Sequence, residues 1–154
     1  MEKRTLAAGV CIALVAVAAL ARTPTRAPIP VSVILEKDGA KCKDIVEPEN
    51  VVLGKKNHDK VLWEFENVCG RDVKLLFVGE QHTPLQDKKP LTKCKIPPNT
   101  PFAIGDELLV PNGALVYVRC EVDDSACEAH YKYHFTSDSL EESRSHELDL
   151  GISP

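Results

Sequence analysis

An all-β fold, a sandwich or barrel, is predicted by three observations. Short apolar runs recur with period two, turn residues separate them about every ten positions, and no stretch sustains the 3.6-residue period of an amphipathic helix. With 154 residues, 44% of them apolar and 27% charged, the chain suits one such domain and is too short for two ordinary ones. A formal net charge of -4 supplies no field to attract nucleic acid, and no Lys/Arg run forms a polybasic membrane patch.

The chain opens with Glu2-Lys3-Arg4 and an apolar stretch, Leu6 to Ala21, that ends in the A-x-A pattern of Ala19 and Ala21. This reads as a secretory signal helix over residues 1–21, whose apolar stretch of 16 residues is shorter than the roughly 20 that span a bilayer. Cys11 lies inside the apolar run after Ala8-Gly9-Val10, which is not a lipidation context. Removal of residues 1–21 leaves 17 basic and 22 acidic residues, a charge of -5, and the five cysteines Cys42, Cys69, Cys94, Cys120 and Cys127. An exported chain keeps disulfides, so two bridges and one unpaired thiol are expected. The destination is periplasmic or extracellular, with no membrane contact after cleavage.

Residues 22–30 carry Pro24, Pro28 and Pro30 and read as an extended linker, because each proline removes a backbone donor and fixes a torsion. The domain then covers residues 31–154. Its expected strands are Val31 to Leu35, Asn50 to Leu53, Lys60 to Asn67, Val73 to Val78, Glu107 to Val110, Ala114 to Val122 and Cys127 to Thr136. Their lengths and spacing suit a sandwich. In Val61-Leu62-Trp63-Glu64-Phe65-Glu66 the alternation turns Val61, Trp63 and Phe65 inward. The same rule turns Cys127, Ala129, Tyr131, Tyr133 and Phe135 inward and leaves Glu128, His130, Lys132 and His134 outside. Val116, Val118, Cys120 and Val122 form the matching row of the preceding strand, with Asp123-Asp124 as a hairpin turn. That register sets Cys120 opposite Cys127, the favoured bridge, with the other pairing among Cys42, Cys69 and Cys94.

Between Val78 and Ala103 runs a connection with five prolines, Pro84, Pro90, Pro97, Pro98 and Pro101. Loops of this length are usually functional or flexible, so residues 79–102 are the expected recognition surface, with Cys94 tying them down. The tail from Ser137 sets Asp138, Glu141, Glu142, Glu147 and Asp149 against Arg144 alone, and reads as a solvated loop with a final strand at Leu148 to Ile152.

The Trp-bearing strand with its continuation, HDKVLWEFENVCGRDVKLLF, and the late AHYKYHF strand resemble the cupredoxin family. The resemblance implies a Greek-key β-sandwich. It also assigns places to the two imidazoles and the thiolate of type 1 copper. Arg71 or Asp72 stands at the first histidine's place and Phe135 at the thiolate's. The only histidine beyond it is His146, and the sole methionine is Met1. The resemblance therefore implies the sandwich without the electron-transfer site.

Weaker metal candidates are Cys127, His130 and His134. Cys127 and His130 face opposite sides of one strand, and His130 and His134 share a face about 13 Å apart. His58 and His82 read as loop residues, and Asp123-Asp124 and Glu141-Glu142 as turn and solvated acids. His146-Glu147-Leu148-Asp149 lacks the second histidine of a zinc-protease helix, and no G-x-S-x-G or phosphate loop is present. The expectation is an exported, non-catalytic binding module of the cell envelope, without cofactor, whose partner is a protein or a small ligand. The alternative is a periplasmic copper-binding or electron-transfer protein with an atypical site.

Overall fold

Alternation of buried and exposed side chains carries the chain into eleven strands, in a computed structural model that describes residues 26–81, 91–124, 130–140 and 148–154. The strands are β1 (Ile29–Asp38), β2 (Lys41–Glu47), β3 (Asn50–Gly54), β4 (Lys60–Val68), β5 (Val73–Gln81), β6 (Leu91–Ile96), β7 (Thr100–Pro101), β8 (Glu107–Val110), β9 (Leu115–Val122), β10 (His130–Thr136) and β11 (Leu148–Ser153). They form two sheets, ordered β2-β1-β4-β9-β6-β7 and β3-β11-β10-β5-β8. Two neighbours are parallel, β1 with β4 and β3 with β11. The signal segment 1–21, residues 22–25, His82, Cys127, Glu141, Glu142, Arg144, His146 and Glu147 lie outside the described residues.

The two sheets meet through aromatic rings. Trp63 and Phe65 of β4 point inward as the alternation requires, and meet the inward row of the other sheet edge to face. Trp63 lies 4.7 Å from Phe77, 5.8 Å from Tyr133 and 6.1 Å from Phe135 between ring centroids. Phe65 lies 5.3 Å from Phe135 and 6.2 Å from Phe77. Edge-on geometry sets the positive rim of one ring against the negative face of another, worth about 0.5–1.5 kcal/mol per pair beyond the area buried. Val31, Val33, Leu35, Leu53, Leu75 and Leu150 fill the space around these rings.

Three strands escape a period-two reading. In β2 the inward residues are Cys42, Asp44 and Val46, all buried. A carboxylate in the middle of the row hides the pattern. In β6 the register slips between Thr92 and Lys95, so Lys93 and Cys94 together face Cys120 of β9. Lys93 takes the left-handed conformation, φ 48°, and the extra residue turns Cys94 inward where strict alternation would turn it out. The third, β7, has only two residues. Residues 79–102 are accordingly not one loop, since β5 reaches Gln81 and β6 and β7 occupy its second half.

The bridges are Cys42–Cys69 and Cys94–Cys120. The expected Cys120–Cys127 pair is corrected, because β9 and β10 are not a hairpin: β9 pairs with β4 and β6 in one sheet, and β10 with β5 and β11 in the other. The chain changes sheets after Val122, and Cys120 meets the bulged β6 instead. The bonded residues are 27 and 26 positions apart, and closing loops of this length stabilises the fold by about 3.5 kcal/mol each in the chain-entropy model. Two disulfides mark an oxidising, non-cytoplasmic location.

The entry to the fold is also fixed. Asp59 is buried in the turn before β4, and its Oδ2 accepts from the Gly54 amide at 2.9 Å. The Arg26 guanidinium lies 3.4 Å from the same carboxylate. The first strand starts at Ile29, two residues earlier than the expected linker boundary.

Two measurements test this packing. A lysine in the left-handed region costs about 1 kcal/mol, and its ion pair with Glu121 is solvent-exposed and weak. Lys93→Gly is therefore expected to raise stability by about 0.5–1 kcal/mol in urea melts with an unchanged m-value. Burial pushes the Tyr133 hydroxyl far above its ordinary 10.0, and the Tyr131 phenol adds to the shift. Above about pH 10 the unfolded chain releases this proton while the folded chain keeps it. The group's contribution is therefore complete below that pH and is lost as pH rises, by about 1.4 kcal/mol per unit. Tyr133→Phe should flatten this alkaline loss relative to the parent chain, read from urea midpoints between about pH 9 and about pH 11.

Candidate functional site

The end of the sandwich where the resemblance places a metal is built around Asn67. It is the next inward residue of β4 after Phe65, and it is fully buried. Its Nδ2 donates to the Arg71 carbonyl at 2.8 Å and the Val110 carbonyl at 2.7 Å, and its Oδ1 accepts from the Cys69 amide at 3.0 Å. Both donors and the acceptor are thus used on backbone groups that strands leave open where they end. Next to it Asp72 Oδ1 accepts from the Asn112 amide at 2.9 Å, and Asn112 Oδ1 from the Gly70 amide at 3.0 Å. Cys69 is bonded to Cys42 beside this knot.

Type 1 copper requires two imidazoles and a thiolate around one point, and the residues at the assigned places do not fit it. Arg71 lends a carbonyl to Asn67, Asp72 holds the Asn112 turn, and Phe135 is a core ring against Trp63, Phe65 and Phe77. His134 follows the alternation and sits on the outer face of β10, away from the Phe135 row, and His130 opens the same strand opposite Gly151 of β11. His58 Nδ1 lies 3.3 Å from the Asp124 carboxylate in an exposed turn. Among the described residues no group of three or more His, Cys, Asp or Glu is placed to hold one ion.

A groove of about 1040 Å³ opens on the outer face of the second sheet. Lys74 and Leu76 of β5, Glu107 and Leu109 of β8, His134 of β10 and the turn from Ser137 to Leu140 line it. Leu76 and Leu109 are 42% and 48% exposed. Lys74 and Glu107 form an ion pair at 3.3 Å. The Nδ1 atom of His134 is buried and makes no hydrogen bond. The Ser139 carbonyl accepts from the Cys42 amide at 2.8 Å, which fixes the turn to β2. The two leucines and the ion pair occupy the two diagonals of one patch on β5 and β8, with His134 of β10 at its side, an arrangement suited to a ligand with both apolar and hydrogen-bonding groups. Sequence reasoning placed His134 outward but passed over the two leucines. The signal was there: with Val73, Leu75 and Phe77 inward, Leu76 faces out, and with Leu108 and Val110 inward, so does Leu109.

The sequence matches no protein-family model and no curated protein. Solved structures similar to it include the CupB2 chaperone of Pseudomonas aeruginosa, at 14% identity and a TM-score of 0.47, covering 71% of this chain and 55% of that one. Another is the copper-containing nitrite reductase NirK of Thermus scotoductus SA-01, at 13% identity and a TM-score of 0.48, covering 83% of this chain and 32% of that one. A third is Lac15 from a marine microbial metagenome, at 12% identity and a TM-score of 0.45, covering 86% of this chain and 34% of that one. This chain thus spans little more than half of the first and about a third of the other two.

Substitution at the knot separates a structural end from a ligand-binding one. Asn67→Ala strands two carbonyls and an amide and is expected to cost about 3 kcal/mol. Asn67→Asp sets carboxylate oxygens against both carbonyls and should cost more, measured by urea unfolding.

Proposed function

We propose that this protein is an exported, non-catalytic binding module of the cell envelope, cupredoxin-like in build and without type 1 copper. It takes its partner, a protein segment or a small ligand, in the groove of the second sheet. The observation that carries this reading is the pair of half-exposed leucines, Leu76 and Leu109, set diagonally across β5 and β8 in one patch with the Lys74–Glu107 ion pair. Isolated apolar residues on a surface are ordinary, but two together in a groove lined by an ion pair and a histidine are the composition of a recognition site. Support for export comes from the leader-like segment at residues 1–21 and from the two disulfides. Support for a binding role comes also from rigidity, since Cys42–Cys69 and the Ser139 contact hold the groove's wall to β2.

A photo-reactive amino acid placed at Leu109 in producing cells tests the proposal, with Val52 on the far edge of the same sheet as the control. Discrete adducts are expected from position 109 and not from position 52. The absence of discrete adducts at 109, or the same adducts from both positions, would count against the groove as the binding surface.

A further inference from the structure

The outer face of the first sheet is built differently from the groove. Its charges are paired at two ends, Glu36 with Lys43 at 2.8 Å, and Glu121 with Lys60 at 3.7 Å and Lys93 at 3.5 Å. Between these pairs Glu47 of β2 and Glu64 and Glu66 of β4 point to solvent, and none of the three makes an ion pair among the described residues. Glu64 and Glu66 stand about 7 Å apart on one strand, so their charges repel without compensation. Apolar side chains surround them. Leu115 lies directly opposite Glu66, Tyr117 opposite Glu64, and Ile34 beside Glu66 on β1, where it pairs across to Ile45 of β2. Leu115 is 50% exposed and Val68, at the end of β4, 52%. A flat sheet face that mixes uncompensated carboxylates with exposed apolar groups is suited to a surface that brings both cations and apolar groups.

We infer that this face docks a partner protein through a basic segment with lysine or arginine set among apolar side chains. Charge selects that occupant. Nucleic acid and anionic lipid would bring more negative charge to Glu47, Glu64 and Glu66. A second copy stacked on this patch would oppose these carboxylates with the same carboxylates, while Arg119 and Lys95, cations of this face without an ion pair among the described residues, stand in register beside Leu62, outside the Glu64–Glu66 patch. A basic segment lowers the repulsion between Glu64 and Glu66 as it covers Leu115 and Val68, so the electrostatic and apolar contributions have the same sign. The inference is independent of the groove, which lies on the opposite sheet.

The probe is a synthetic helical peptide of about 18 residues, leucine on one face and lysine on the other, about 27 Å long and so near the about 30 Å length of the nine-residue β4. Titrated into the isotope-labelled, disulfide-intact chain, it is expected to move amide signals of β1, β4 and β9. The double variant Glu64→Gln, Glu66→Gln should weaken binding by about tenfold or more, and Leu115→Lys should weaken it as well. The charge-matched control Glu49→Gln, Asp106→Asn, in which the asparagine keeps an acceptor for the Ala103 amide, should bind as the parent does. Failure to bind, shifts confined to the second sheet, or equal weakening in the control would overturn the inference. So would sedimentation showing self-association that Leu115→Lys abolishes.

Discussion

Edge-to-face contact between Trp63 and the rings of Phe77, Tyr133 and Phe135 is what makes two sheets into one body. The chain has only four phenylalanines, three tyrosines and one tryptophan, and it concentrates most of them at this junction. Sheet hydrogen bonds hold each layer together and say nothing about the other layer, so the layers' relation depends on side chains that cross the gap. Once those rings are set, the facing directions of β4, β5 and β10 are fixed. Every residue discussed on the outer faces, from Leu76 and His134 to Glu64 and Leu115, owes its exposure to that choice, because a one-residue slip in any of these strands would exchange the two sets.

The same constraint accounts for the absence of a metal geometry among the described residues at the Asn67 end. The place that a thiolate would take is a phenyl ring because Phe135 belongs to the inter-sheet cluster. The places that an imidazole would take are used by Arg71 and Asp72 to close turns around Asn67. A side-chain amide can satisfy two carbonyls and an amide at once, and a disulfide next to it removes the chain freedom that would otherwise loosen the turns. The outcome is an end that is rigid by hydrogen bonding and covalent closure.

Most strands were legible in the sequence because their alternation is regular. VLWEFEN and YKYHF show it plainly, and the structure turns Val61, Trp63, Phe65, Tyr131, Tyr133 and Phe135 inward. What was illegible had local physical causes. Asp44 interrupts the apolar row of β2, and the bulge at Lys93 and Cys94 shifts the phase of β6 by one residue, so both segments read as connection. The disulfide pairing followed from the second of these errors: with β6 unseen, Cys120 had only the next segment to pair with. Strand order is a nonlocal property, and nothing between Val122 and His130 announces that the chain changes sheets there. The groove was half legible, since alternation sets Leu76, Leu109 and His134 outward, but only the pairing of β5 with β8 and β10 brings them together.

The contact between Arg26 and Asp59 gives the molecule a direction. β1 and β4 run parallel, so the chain enters beside the start of β4, and the Asn67 knot stands at that strand's other end. Lys41, Asp72 and the turn from Ser137 to Leu140, which wall the groove, cluster at the knot end. Arg26 is therefore held at one pole, and these walls of the groove lie toward the other. The length of β4 thus keeps the start of the first strand apart from the turns that wall the groove.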